Sequence, residues 1–439
     1  MTGPGRGPAS TGGRRVPPRG WRALGPVTAV AVLLATAACS STAQGPSAPS
    51  TSRATTHPAV TSPAATSATA SVPSAATGLP PIRHVFVIVL ENEGYASTFG
   101  TPSDDPYLAG TLVAQGALLT DYYGIGHHSA DNYIAMISGQ APNPLTQSDC
   151  QTFADFPAAA TIGADGQITD SGCVYPTSVT TVADQLDAAH LTWKAYMQDM
   201  GNVPTRESAV CGHPAVGAPD HTEAAVAGDG YASRHDPFVY FHSIIDDTAR
   251  CNSDVVPLGT ATGALPAGTP SGTTGLAADL GSVATTPNLS FITPNLCNDG
   301  HDAPCVNQSG SASPFVNVDA FLQTWVPLIT ASPAFKKDGL LEVTFDEADT
   351  SGSGADASAC CNEVAGPAAS EPGEFGPGGG RVGTVLVSPF IRPGTVTSVP
   401  YNHYSTLATI EGLFGLARLG GARTVTARFG TDVFTNPGG

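Results

Sequence analysis

Six short apolar runs rich in β-branched residues limit what this 439-residue chain can fold into more than any other feature. They are His84-Val-Phe-Val-Ile-Val-Leu90, Ala117–Tyr123, Leu191–Tyr196, Asn288–Thr293, Gly339–Phe345 and Val382–Ser388. Runs apolar on both faces suit parallel strands covered by helices on either side. Helical patterns lie around them at Pro106–Gly116, Asp131–Ser138, Val179–Ala189, Pro237–Asp246, Pro314–Thr330 and Tyr401–Leu416. This alternation predicts an α/β fold, a central and mostly parallel sheet flanked by helices. Ligands of such folds bind beyond the carboxyl ends of the strands, so the polar residues that follow each run are where chemistry is expected.

The chain before the first run has a different character. Arg-rich Met1–Arg22 precedes an apolar stretch from Gly25 to Ala38, shorter than the roughly 20 residues a membrane span needs. Residues 1–39 are therefore expected to be an export signal, with Cys39 as a possible lipid-attachment site and Thr36 standing where lipoprotein signals usually carry Leu or Val. Secretion and anchoring to the outer face of a bacterial membrane both remain open. Residues 40–80 are Ser/Thr/Ala/Pro-rich without aromatics, which predicts a disordered tether, and the folded domain is expected over 81–439. The 18 basic and 36 acidic residues give −18; losing Arg6, Arg14, Arg15, Arg19 and Arg22 with the leader leaves 13 against 36, or −23. Such a surface repels phosphate backbones and excludes nucleic acid as a bulk partner. The eight cysteines beyond Cys39 point to disulfides. Sequence neighbours suggest Cys150–Cys173, Cys211–Cys251 and Cys297–Cys305, leaving the adjacent Cys360 and Cys361 open. A monomer is expected.

Two runs end in acidic pairs. The first meets Glu91-Asn92, and the fifth meets Asp346-Glu347-Ala-Asp349. Three carboxylates and an amide brought to one edge would repel one another without a cation between them. An all-oxygen ligand set favours one divalent ion, Mg²⁺, Ca²⁺ or Mn²⁺ over Zn²⁺. After the second run, Gly124-Ile-Gly-His127-His128-Ser129 leads into a helix. Ser129 at a helix start is usually a cap, but the same place suits a nucleophile toward an anion, with Asn132 one turn further on. His235, His301 and His403 stand in polar settings, where histidines beside a phosphoryl group can neutralise charge or protonate a leaving oxygen. No G-x-S-x-G, H-E-x-x-H, phosphate-loop or sulfatase-type motif occurs.

With these residues the chain resembles a family of bacterial phosphoesterases that includes acid phosphatases and phospholipases C, on an alkaline-phosphatase-like sandwich. The blocks are 84–92, 128–139, 193–196, 235–238, 292–295 with Asp299-Gly-His301, and 344–349. The resemblance implies Glu91, Asn92, Asp346 and Glu347 as metal ligands and Ser129 as a transiently phosphorylated nucleophile. It implies Asn132, His235 and His301 as holders of the phosphate oxygens; His128 and His403 join the candidate substrate-binding residues. The chain has His127-His-Ser where the family usually has His-Pro-Ser, and Asp236 where the acid-phosphatase branch often has Asn. A metal-dependent phosphatase acting on phosphate monoesters is expected. A phospholipase C-type phosphodiesterase and a non-catalytic phosphate-binding lipoprotein are the alternatives.

Overall fold

The computed structural model describes residues 78–306, 313–424 and 427–436, with the isolated Gly3 and Gly438. Its fold lies within the compact unit Ser71–Gly439. The expected leader, Cys39 and nearly all of the expected tether fall outside the described residues. Among the described residues no helix is long and apolar enough to cross a membrane.

Ten strands form. They are β1 (His84–Leu90), β2 (Ala117–Leu119), β3 (Tyr122–Tyr123), β4 (Trp193–Met197), β5 (Val255–Pro257), β6 (Leu289–Thr293), β7 (Gly339–Phe345), β8 (Thr384–Val387), β9 (Thr395–Thr397) and β10 (Tyr401–Asn402). Eight build one sheet in the order β5-β4-β6-β1-β7-β8-β2-β9, while β10 and β3 pair separately. All neighbours in the large sheet run parallel except β8, which is antiparallel to both β7 and β2. Every residue of β1 and β7 is buried, as their two-sided apolar character requires. The fold is thus α/β, with helices such as Ser129–Ser138, Phe315–Ala331 and His403–Phe414 accompanying the sheet.

Two expectations need correcting. The run Ala117–Tyr123 is not one strand: Thr120 and Asp121 break it, and Tyr122–Tyr123 leaves the main sheet to pair with β10. The run Val382–Ser388 shortens to β8 and returns against its neighbours after the long excursion that follows β7. The three suggested disulfides form, and Cys360 is bonded to Cys361.

The parallel pairing of β1 with β7 sets Leu90 opposite Phe345. Glu91-Asn92 and Asp346-Glu347 therefore leave the sheet side by side. The β3–β10 pair places Tyr123 beside Asn402, so the loop to Ser129 and the start of the His403–Phe414 helix reach the same region.

Candidate active site

The Ser129–Ser138 helix is buried along its whole length and packs against the His403–Phe414 helix. Its N-cap is His128, held at φ 74° with no side-chain cap; Ser129 is the first helical residue. Its hydroxyl does not cap the helix but donates to Glu91 Oε2 at 2.7 Å. Asn92, also at positive φ (63°), donates its backbone N–H to Asp346 Oδ1 at 3.1 Å. Glu347 accepts the His128 N–H at 3.1 Å and pairs closely with His127 Nδ1. The nucleophile loop and both acidic pairs thus converge.

The electrostatics of this cluster are unfavourable as it stands. Glu91, Asp346 and Glu347 are buried, and burial is the first cause raising each carboxyl well above its usual range. The next causes are Asp346 for Glu91, Glu347 for Asp346 and Asp149 for Glu347. Glu91 Oε1 and Asp346 Oδ2 are buried without a hydrogen-bond partner. Crowded carboxylates with orphaned oxygens are the chemistry a hard divalent cation satisfies, so the residues present fit such an ion.

His235 is stacked on Tyr133, centroids 5.2 Å apart and planes within 4°. Its Nε2 lies 3.4 Å from Glu91 Oε2 and its Nδ1 3.3 Å from Asp299 Oδ2. Glu91, His235 and Asp299 can each bring one donor atom within 4.8 Å of the others. Burial pushes the His235 ring well below its ordinary pKa, with help from Arg234 and His301. His301 accepts at Nε2 from Arg234 Nη2 at 3.1 Å, which leaves its proton on Nδ1 to donate to Asp302 at 2.8 Å. His128 sits between Asp149 (3.3 Å) and Glu374 (2.9 Å), and its bond to Asp149 chiefly raises it to about 9.

Two residues lie differently from the expectation. Asn132 turns its amide back onto the nucleophile loop: Oδ1 accepts from Ile125 N (2.7 Å) and Gly126 N (3.2 Å), and Nδ2 donates to Gly126 O (2.8 Å) and His128 O (3.2 Å). His403 lies behind the acidic strand end, donating from Nε2 to the Asp346 carbonyl and facing the Tyr122 hydroxyl with Nδ1 at 3.1 Å.

Four further residues belong to the site and were not singled out. Arg234 is a buried cation within reach of His301 and Asp149. Asp299 faces His235, and Asp149 also accepts from Ala130 N at 3.0 Å. Asp131 buries both carboxylate oxygens without partners, and burial pushes it well upward. Arg234 and Asp299 stood beside expected histidines in the sequence; Asp149 and Asp131 carried no comparable signal.

The profile of the phosphoesterase family matches residues 106–417, and the chain belongs to that family. It is 28% identical over 312 residues to a phosphate-repressible acid phosphatase of Penicillium chrysogenum, covering 70% of this chain and 54% of that protein. It is 25% identical over 346 residues to a phosphatidylinositol-3-phosphatase of Mycobacterium tuberculosis, covering 79% and 81%. The chain spans about half the length of the first fungal relatives it matches, 54% and 51%. Fungal relatives extend the family beyond the expected bacterial range. Similar solved structures include a protein in the alkaline phosphatase superfamily from Vibrio parahaemolyticus, at 13% identity and TM-score 0.43 over 79% of this chain and 69% of that one.

Proposed function

We propose that the protein is an exported, metal-dependent phosphatase that hydrolyses phosphate monoesters through a phosphoserine at Ser129. The observation that carries this reading is the buried Ser129 hydroxyl at a helix start, donating to Glu91 within a carboxylate cluster whose oxygens lack partners. In the first half-reaction Oγ bonds to phosphorus as the ester P–O bond breaks and the alcohol leaves with a proton. In the second, water attacks the phosphoserine and releases serine and inorganic phosphate. Asn132 fixes the loop that presents Ser129. Arg234 offsets charge on the phosphate oxygens and is held by His301, whose Nε2 accepts from it; the proton that leaves with the alcohol is the one Ser129 gives up. His235, kept neutral by its burial, orients within the Glu91–Asp299 pair. Glu91, Asn92, Asp346 and Glu347 would hold one divalent ion, which would favour the Ser129 alkoxide and offset phosphate charge. Four disulfides among the described residues support an oxidising compartment, reached by secretion or by anchoring through Cys39.

The test is hydrolysis of p-nitrophenyl phosphate by the full chain, with chelator and metal add-back, beside Ser129→Ala. Metal-restored turnover that falls at least roughly a thousandfold in the variant, at unchanged Tm, is expected. Undiminished turnover in Ser129→Ala would remove the nucleophile assignment, and preferential cleavage of p-nitrophenyl phosphorylcholine would make the protein a phosphodiesterase.

A further inference from the structure

Among the described residues, Phe375 is the one aromatic within the set of large apolar side chains left exposed, at 61%. Its ring centroid lies 5.9 Å from that of His127 and 6.1 Å from that of His128, the residue before Ser129. The neighbouring Glu374 carboxylate lies 2.9 Å from His128 Nε2. The segment carrying both is braced against the nucleophile's own loop. Gly379 N–H donates to Gly124 O at 3.1 Å, and a Cβ on Gly379 would stand 2.2 Å from Gly126 O, so the two backbones meet where no side chain fits. Gln147 Nε2 donates to the carbonyls of Glu371 (2.9 Å) and Pro372 (3.2 Å).

Core packing does not account for a ring that faces water. Its segment is nevertheless tied to the nucleophile loop, and the ring lies against His127 and the partly exposed His128. An exposed aromatic face against the loop that carries the proposed nucleophile is a surface on which a flat ligand stacks, since every nucleobase and aryl ring offers a π-face. We propose that Phe375 is a stacking platform for the leaving group, and that the preferred substrates are phosphate monoesters of alcohols bearing a flat aromatic ring, nucleoside monophosphates among them. The inference rests on the phosphatase reading and adds a substrate class to it.

The experiment compares wild type, Phe375→Ala, Phe375→Leu and Phe375→Trp in the full chain. Each is assayed with adenosine monophosphate and with glycerol phosphate, which has no ring to stack. Phe375→Ala and Phe375→Leu should raise KM for the nucleotide roughly tenfold, the low end of what one base–aromatic stack is worth. Phe375→Trp should restore it, and kcat/KM for glycerol phosphate should stay within about twofold throughout. Equal losses on both substrates would overturn the platform, because Phe375 would then only buttress the histidine loop; no change on either would overturn it as well. Hydrolysis of glycerol phosphate by wild type stands apart from these comparisons, and its failure would strike the phosphatase reading itself.

Discussion

Glu342 lies in the middle of β7, fully buried, and its protonation decides whether a chain of hydrogen bonds reaching the acidic strand end can close. Thr406 Oγ1 is 2.6 Å from Glu342 Oε1, Tyr122 OH is 2.6 Å from Thr406 Oγ1, and His403 Nδ1 is 3.1 Å from Tyr122 OH. His403 Nε2 donates to the carbonyl of Asp346. With Glu342 neutral, each hydroxyl donates once along the line: acid to Thr406, Thr406 to Tyr122, Tyr122 to His403. If the acid ionises, Thr406 must donate back to it, and the Tyr122 hydroxyl, 3.3 Å from the same Glu342 oxygen, turns its proton to the acid or to Thr406. The neutral His403, lowered to about 4 by burial, then loses its donor. Burial raises Glu342 to about 7 from 4.5. A raised folded pKa means that stability is whole below the unfolded pKa and is lost as pH rises through the folded one. The cost is about 1 kcal/mol at pH 5 and about 3 kcal/mol at pH 8. Glu342→Gln keeps an N–H for Thr406 at every pH and abolishes this cost. Unfolding entropy of about 0.75 kcal/mol/K for a body of this size makes the pH-dependent gain about 3 °C. Calorimetric melts of both proteins at pH 5 and pH 8 measure it: the variant's gain on wild type should be about 3 °C larger at pH 8 than at pH 5. A Tm difference independent of pH would show that Glu342 does not titrate in this window, and the proton count would fail.

Asp346→Asn should weaken divalent-ion binding by more than roughly tenfold in calorimetry. It should also raise the Tm of the metal-free protein at pH 8, because one of several crowded buried carboxyls is removed; lower stability would contradict the crowding argument. Asn132→Ala breaks four bonds to the nucleophile loop, at about 1 kcal/mol each, and should lower Tm by about 5 °C together with kcat. A higher KM at unchanged Tm would instead assign the amide to substrate. Glu374→Gln removes one of the carboxylates facing His128, so the His128 titration followed by NMR should move down from about 9 while remaining above its ordinary value through Asp149. An unmoved titration would show that Glu374 does not bear on that ring.

The elements that position the site were legible because they are the ones whose residue pattern has no other use. His84–Leu90 and Gly339–Phe345 are buried on both faces, and once they pair in parallel the two acidic dipeptides must emerge together. Direction was not legible: Thr384–Val387 has the same apolar character whether it runs with β7 or against it, and only the long chain between them settles the matter. Strands of two or three residues, such as β3, β5 and β10, show no period at all and exist through their partners. At the site the misleading cue was spacing. Three residues along a helix place Asn132 on the same face as Ser129, which suggests a shared ligand. The positive φ of His128 folds the preceding loop over the helix start, so the amide meets backbone groups that would otherwise be buried unpaired. The burial that makes Asn132 a clamp and the exposure that makes Phe375 available to a ligand have one origin. Each follows from where loop 124–128 is pressed, against the helix on one side and against Gly379 on the other. Neither asparagine nor phenylalanine carries that information in its own chemistry, so perturbing the Gly379 contact should disturb both roles at once, lowering Tm and nucleotide affinity together.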